Sequence, residues 1–261
     1  MARGRTERVL VERYDGHATT RAPDELIVEE PMEIHLDGTL VATTMRTPGH
    51  DFELAVGFCH ADGLLGGAAV RTCRYCGTGS AVESDFNVVS VDTGGLAPTP
   101  RPRLQTTTSA CGMCGATAID ELRDRLHVLP PRSPWDLGLL ASLPDRVFAA
   151  QELFDRTGAV HAAAACDRSG EPLVVREDIG RHNAVDKVVG RLLLDGALPA
   201  DELALYVSGR SSFEIVQKAW AAGMRAVVAV SGPSSLAVAA AVLGGVRLCG
   251  FARDGRLNVY A

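Results

Sequence analysis

"LALYVSGRSSFEIVQKAWAAGMRAVVAVSGPSSLAVAAAVLGGVRLCGF", Leu203 to Phe251, alternates short apolar runs with helical patterns. Strands are expected at Leu203 to Ser208, Ala226 to Ser231 and Val246 to Phe251, and helices at Ser212 to Ala222 and Ser235 to Leu243. Continuously apolar strands separated by helices imply a largely parallel sheet covered on both faces.

The pattern extends upstream. A helix is expected at Arg181 to Leu194, a hairpin of two strands at Val160 to Cys166 and Pro172 to Arg176, and a helix near Pro144 to Arg156. This order resembles the cytidine-deaminase-like layout. Before the proline-bounded break "LPPRSP" the chain reads as β-rich. Two extended runs within Glu25 to Arg46 are joined by Asp37-Gly38, a dipeptide suited to a type I′ hairpin turn. The segment from His50 has helical spacing, with Phe52, Val56 and Cys59 on one side. Strands follow around Val70 to Tyr75 and Phe86 to Asp92, then a long loop through "TGGLAPTPRPRLQTTTSACGMCG" and a helix at Ala116 to Leu126. Two domains are expected: a smaller β-rich α+β unit over 1–130, and a deaminase-like three-layer α/β domain over 131–261.

With 26 basic against 32 acidic residues the net charge is -6, which argues against a broad nucleic-acid surface. The N-terminus, "MARGRTERVLVER", is rich in arginine and reads as a solvated, partly disordered tail. It lacks the apolar stretch of a secretory signal, and the longest apolar run, Leu236 to Val246, falls short of the ~18 residues of a membrane span. A soluble, cytoplasmic protein without membrane partners is expected. In that compartment the seven cysteines read as thiols, metal ligands or catalytic groups.

Three strand-to-helix turns are polar and small: "REDIGRHNAVDK" (Arg176 to Lys187), "SGRSSFE" (Ser208 to Glu214) and "SGPSS" (Ser231 to Ser235). In an open α/β sheet such turns gather at the carboxyl ends of the strands, where ligands bind. Helix N-termini there, with Arg210 alongside, suit a phosphate or diphosphate. Plain capping explains them as well, through a Ser211–Glu214 capping box and Pro233 where a helix begins. Asp178, His182 and Asp186 are spaced to share a helix face, for acid-base work or as a cap with an ion pair. His161 reads as a satisfied core histidine of a buried strand ahead of a ligand contact, and Cys166 as a small apolar group. Zinc deaminases carry His-x-Glu and Pro-Cys-x-x-Cys at two core helix starts, whereas this chain has "GRHNAVDK" and "SGRSSFE" there, so no catalytic metal is expected.

Two Cys-x-x-Cys pairs remain, Cys73 with Cys76 and Cys111 with Cys114. They admit a four-cysteine structural zinc, a redox pair, or a nucleophilic thiol. Cys111 stands shortly before a helical pattern on a glycine-flanked loop, where the helix dipole favours the reactive thiolate.

Taken as a set, "SACGMCG", "HAAAAC", "REDIGRHNAVDKVVG", "SGRSSFEIVQKA", "VSGPSS" and "GFARDGRLNVY" resemble the FdhD family of formate dehydrogenase accessory proteins. That resemblance implies a sulfurtransferase of the carrier type. It takes sulfur from a cysteine desulfurase as a persulfide on Cys111, with Cys114 as companion, and passes it to the molybdenum cofactor of formate dehydrogenase. It further implies a homodimer that binds the bis(molybdopterin guanine dinucleotide) cofactor as cargo, with GDP as a mimic of its end groups. The family's cofactor stretch falls on Phe251, Ala252, Arg253, Asp254, Gly255 and Arg256. Ser208, Gly209 and Arg210 become further contacts. From the residues alone "FARDGR" reads as a surface hairpin turn. The competing reading is a chaperone that holds the cofactor and uses its cysteines for structural zinc.

Overall fold

The computed structural model describes residues 4–76, 80–82, 84–99 and 115–261. Its first feature corrects the sequence reading. The arginine-rich N-terminus is not a tail but half of an antiparallel arm, in which β1 (Thr6–Tyr14) pairs with β2 (Thr19–Ile27) over nine residue pairs. Val9-Leu10-Val11, a short run rich in β-branched residues, sits between the charges of "ERVLVER", and its strand preference outweighs the charge density. The turn is set by Asp15, whose carboxylate accepts the amides of His17 and Ala18, both at 2.9 Å, beside Gly16 at φ 99°. At its base Arg156 pairs with Glu25 and donates to Thr6 Oγ1 at 2.8 Å.

A four-stranded sheet follows, built from β3 (Glu30–Leu36), β4 (Thr39–Arg46), β5 (Thr72–Tyr75) and β6 (Val88–Asp92) in the order β4-β3-β6-β5. Asp37-Gly38 forms the expected turn, with φ of 46° and 84°. Met32, Ile34, Leu36, Val89 and Val91 pack against Leu54, Val56 and Cys59 of α1 (Asp51–Ala61).

After α2 (Gly115–Arg125), α3 (Leu137–Phe148) and α4 (Glu152–Thr157) stand where one helix was expected. Pro144 lies inside α3 rather than at a start. Asp136 caps that helix about two turns earlier by accepting the Leu139 amide at 2.8 Å.

The second sheet takes the order β12-β11-β10-β9-β7-β8, from β7 (His161–Cys166), β8 (Pro172–Asp178), β9 (Ala204–Val207), β10 (Ala226–Ala229), β11 (Arg247–Arg253) and β12 (Arg256–Val259). It is less parallel than expected: β9, β10 and β11 run parallel, while β7 opposes both β8 and β9, and β12 opposes β11. The cause is the leading hairpin. It carries β8 to the edge and turns β7 against β9.

The period-two alternation sends Ala163, Ala165, Leu205, Val207, Val227 and Ala229 to one face, under α5 (Arg181–Leu194), α6 (Phe213–Ala221) and α7 (Ser235–Gly244). It sends Ala164, Cys166, Tyr206, Val228 and Cys249 to the other, under Leu140, Leu143 and Val147 of α3. Helices therefore cover both faces. Leu122 of α2 joins the first of these cores, and α1 crosses α5 at Gly57 and Gly190.

Candidate functional site

At the carboxyl ends of β9 and β10 an open cavity of about 710 Å³ is lined by residues that include His161, Tyr206, Ser208, Val230, Ala252 and Arg253. Its opposite wall is aromatic: Phe148 and Phe154 meet edge to face at 6.0 Å between ring centres. Two hydrogen bonds of 2.8 Å from the amides of Leu153 and Phe154 to the Glu177 carboxylate fix the start of α4 and hence the Phe154 ring. Ser208 Oγ accepts the Ala162 amide at 2.9 Å and lies 3.3 Å from His161 Nδ1. Burial and the neighbouring Arg181 lower the His161 pKa, which favours the neutral ring.

The two Ser-Gly turns lie side by side. The Ser231 amide donates to the Gly209 carbonyl at 3.3 Å, and the Ser234 amide to the Ser211 carbonyl at 3.1 Å. Phe251, left-handed at φ 52°, sits over Gly232, where an added Cβ would meet the ring at 2.8 Å. Capping is simpler than expected. Ser212, not Ser211, is the N-cap of α6 and no side chain closes a box there, whereas the Ser211 hydroxyl is buried without a partner among the described residues. Ser234 caps α7 by accepting the Ala237 amide at 3.2 Å.

The residues singled out at the C-terminus separate into two groups. Ser208, Ala252 and Arg253 line the cavity, with Gly209 tied to its rim through Ser231. Asp254, Gly255 and Arg256 form an exposed turn at φ 51° and 68° for its first two members, with Arg253 paired to Arg256 across the hairpin. Arg210 is exposed and outside the lining.

Asp178, His182 and Asp186 do not share a helix face. Asp178 ends β8, and α5 begins only at Arg181. Each carboxylate meets a buried lysine instead, Asp178 with Lys187 and Asp186 with Lys218, both at 2.6 Å. Neither lysine was singled out in the sequence; their places on the inner faces of amphipathic helices were the available signal. Lys187 also donates to the Thr47 carbonyl at 2.9 Å, the Thr47 amide to Asp178 at 3.1 Å, and Asn183 to the Met45 carbonyl at 2.7 Å. Asp178, Asn183 and Lys187 of "REDIGRHNAVDK" thus clasp the end of β4. His182 Nε2 reaches Ser212 Oγ at 3.1 Å, and burial with Lys218 and Arg181 brings its pKa down to about 4.

Cys111 and Cys114 lie outside the described residues. Cys73 packs against the core of the first sheet and burial pushes its thiol up to about 12, while Cys76, at φ 70°, lines a second cavity with Arg74 on the sheet's outer face. Cys73 and Cys76 therefore face opposite ways. Cys166 is wholly buried, its thiol pushed up to about 12 by burial and Asp167, in keeping with a core residue. Among the described residues no group of three or more His, Cys, Asp or Glu side chains is placed to hold a metal. No described helix is long and apolar enough to cross a membrane.

A model of the FdhD/NarQ family matches residues 27–261. The chain belongs to the FdhD/NarQ family. Relatives within it include the sulfur carrier protein FdhD of Streptomyces avermitilis, 47% identical over all of this chain and 95% of that one. The protein of the same name from Corynebacterium efficiens is 45% identical over 92% of this chain and 90% of its own. The fold of this chain is shared by a crystal structure from Desulfotalea psychrophila, of a protein assigned by its name as a formate dehydrogenase accessory protein. It superposes with a TM-score of 0.73 at 23% identity, over 98% of this chain and 96% of that one.

Proposed function

We propose that this protein is a sulfur carrier in the maturation of formate dehydrogenase, with Cys111 as the thiol that bears the sulfur. The observation that carries the reading is near-full-length identity of 45 to 47% to proteins named sulfur carriers. Thiol chemistry supports it, because burial raises Cys59, Cys73, Cys166 and Cys249 far above neutrality and leaves them poor nucleophiles. The Cys111 thiolate attacks the outer sulfur of a persulfide on a cysteine desulfurase. One S–S bond forms, one breaks, and the donor thiolate leaves, with no net change in oxidation state. Cys114 then attacks Cys111 Sγ, closing a disulfide and expelling hydrosulfide; the dithiol supplies the two electrons that reduce the carried sulfur to sulfide.

The acceptor is the molybdenum cofactor, held as cargo before it enters formate dehydrogenase. The cavity suits one of its guanine dinucleotide limbs in size and character, with aromatic and apolar walls for a ring system and Arg253 at the rim for diphosphate oxygens. GDP serves as the mimic. Asp254, Gly255 and Arg256 contribute through the hairpin turn that presents Arg253, Ser208 through the lining itself, and Gly209 and Arg210 from the turn that continues it. The strand order, with its leading hairpin and helices on both faces, supports a deaminase-like layering for the C-terminal domain. We place the protein in the cytoplasm as a homodimer.

Intact-mass analysis after incubation with a cysteine desulfurase and cysteine tests the reading. A reducible gain of one sulfur atom is expected, lost in Cys111→Ala and kept in Cys166→Ala. No gain, with stoichiometric zinc that disappears in Cys73→Ala, would replace it with the zinc-bearing chaperone.

A further inference from the structure

The β1–β2 arm lies almost wholly outside the family match, which begins at residue 27. A two-stranded ribbon in water is marginal by itself. This one leaves Leu10 66%, Tyr14 70% and Leu26 47% exposed. Among the described residues no further strand pairs with either of its edges.

The hydrogen bonds at its two ends define those edges. Val28 donates to the Arg5 carbonyl at 2.9 Å and Asp15 to the Ala18 carbonyl at 3.3 Å, so the odd-numbered residues of β1 bond to β2. The amides and carbonyls of Arg8, Leu10 and Glu12 therefore point outward. On β2 the outward set includes Pro23, opposite Leu10, which has no N–H to offer. The edge of β1 contains no proline.

The sequence of that edge, Glu7-Arg8-Val9-Leu10-Val11-Glu12-Arg13, is complementary to itself when reversed about Leu10. An antiparallel copy centred there sets Arg8 opposite Glu12, Glu7 opposite Arg13, Val9 opposite Val11 and Leu10 opposite Leu10. The two-fold operation repeats each pair. Outward-facing residues meet outward-facing residues, so the backbone bonds close in the same register. A slip of two residues in one direction puts Glu7 opposite Asp15 and Val9 opposite Arg13; in the other it puts Arg5 opposite Arg13. Both lose the charge match.

We infer that β1 is a self-recognition edge, through which the arms of two copies of this chain join into a four-stranded antiparallel ribbon about a two-fold axis at Leu10. The inference deepens the homodimer proposed above by naming its contact, and it is independent of the sulfur chemistry.

The test uses the full chain, its Glu7→Arg variant and the Glu7→Arg/Arg13→Glu double variant in sedimentation velocity across a concentration series. Within one arm Glu7 faces Leu26 and Arg13 faces Thr20, so the swap sets no like charges directly opposite each other; it gives up only the exposed pair of Arg13 with Asp24 at 3.6 Å, worth little at the surface. Glu7→Arg creates two like-charge pairs across the axis and is expected to weaken association on the order of tenfold; the double variant restores it. Residue-resolved amide exchange supplies the second readout: Arg8, Leu10 and Glu12 are protected in the associated protein and unprotected in Glu7→Arg, while Val9 and Val11 are protected in both. Unchanged association in all three proteins, or a dimer with those even-numbered amides unprotected, overturns the arm contact while leaving dimerisation itself standing. A monomer at every concentration overturns both.

Discussion

Gly57 and Gly190 meet backbone to backbone where α1 crosses α5. A Cβ on Gly57 would lie 1.9 Å from the Asp186 carbonyl oxygen, and one on Gly190 1.8 Å from that of Glu53. The helix on the first sheet thus reaches a helix of the second through a crossing that only two glycines permit.

Gly190→Ala is therefore expected to destabilise the protein by about 3 kcal/mol. Alanine's helix preference of about 1 kcal/mol over glycine works the other way and is outweighed by the backbone overlap. Urea unfolding reads the difference; an unchanged midpoint would contradict the crossing.

Glu53 supplies a pH dependence. Burial pushes its carboxyl up, but bonds from Arg176 (2.5 and 2.8 Å) and His50 outweigh that and hold it at about 2, against an ordinary 4.5. A depressed carboxyl stabilises the fold above its unfolded value and loses that contribution as pH falls toward the folded one. Glu53→Gln should cost about 2 kcal/mol at pH 7, allowing for partial solvent screening, and the gap to the unaltered protein should close between pH 4.5 and 2.

His182 should behave in the opposite sense to an exposed histidine. With its pKa near 4, it remains neutral in the folded protein while the unfolded chain takes up a proton below about 6.5. Stability then decreases as pH drops through 6.5, and the penalty is complete near 4. Imidazole resonances followed by NMR should show no His182 titration between pH 5.5 and 8 (about the range in which an unperturbed histidine changes charge).

For the cavity, Arg253→Ala should weaken GDP binding about tenfold, the scale of one charge-assisted contact. Arg210→Ala, outside the lining, should change it less. Isothermal titration distinguishes them, and equal affinities would remove Arg253 from the site.

Thiol labelling provides a further check. Cys166 and Cys249, with thiols near 12 and 11, should resist iodoacetamide at pH 7.5 until the protein is unfolded, as judged by peptide mass mapping.

The second sheet was legible because both of its faces are covered: runs such as "AVVA" admit little else between helical patterns. What was hidden depended on partners far along the chain. The spacing of Asp178 and Asp186 suggests one surface, yet their lysines, nine residues on and on another helix, draw them into separate buried pairs. Pro144 reads as a helix start until Asp136 is seen capping the same helix about two turns earlier. The arm was masked by its own charges, because a strand paired on one side and open to water can look like a tail. In the cavity, Ser208 was marked by its strand-to-helix turn and Arg253 only by the family resemblance, whereas Phe148 and Phe154 come from helices whose spacing says nothing of a ligand.

Pro23 gives the arm a direction of growth. A ribbon with two open edges adds copies without end, the route by which strands become fibres. Here one edge is sealed by a residue that cannot donate, so two arms that meet along β1 present only sealed edges to a third. The same short segment that invites a neighbour also limits the assembly to a closed pair.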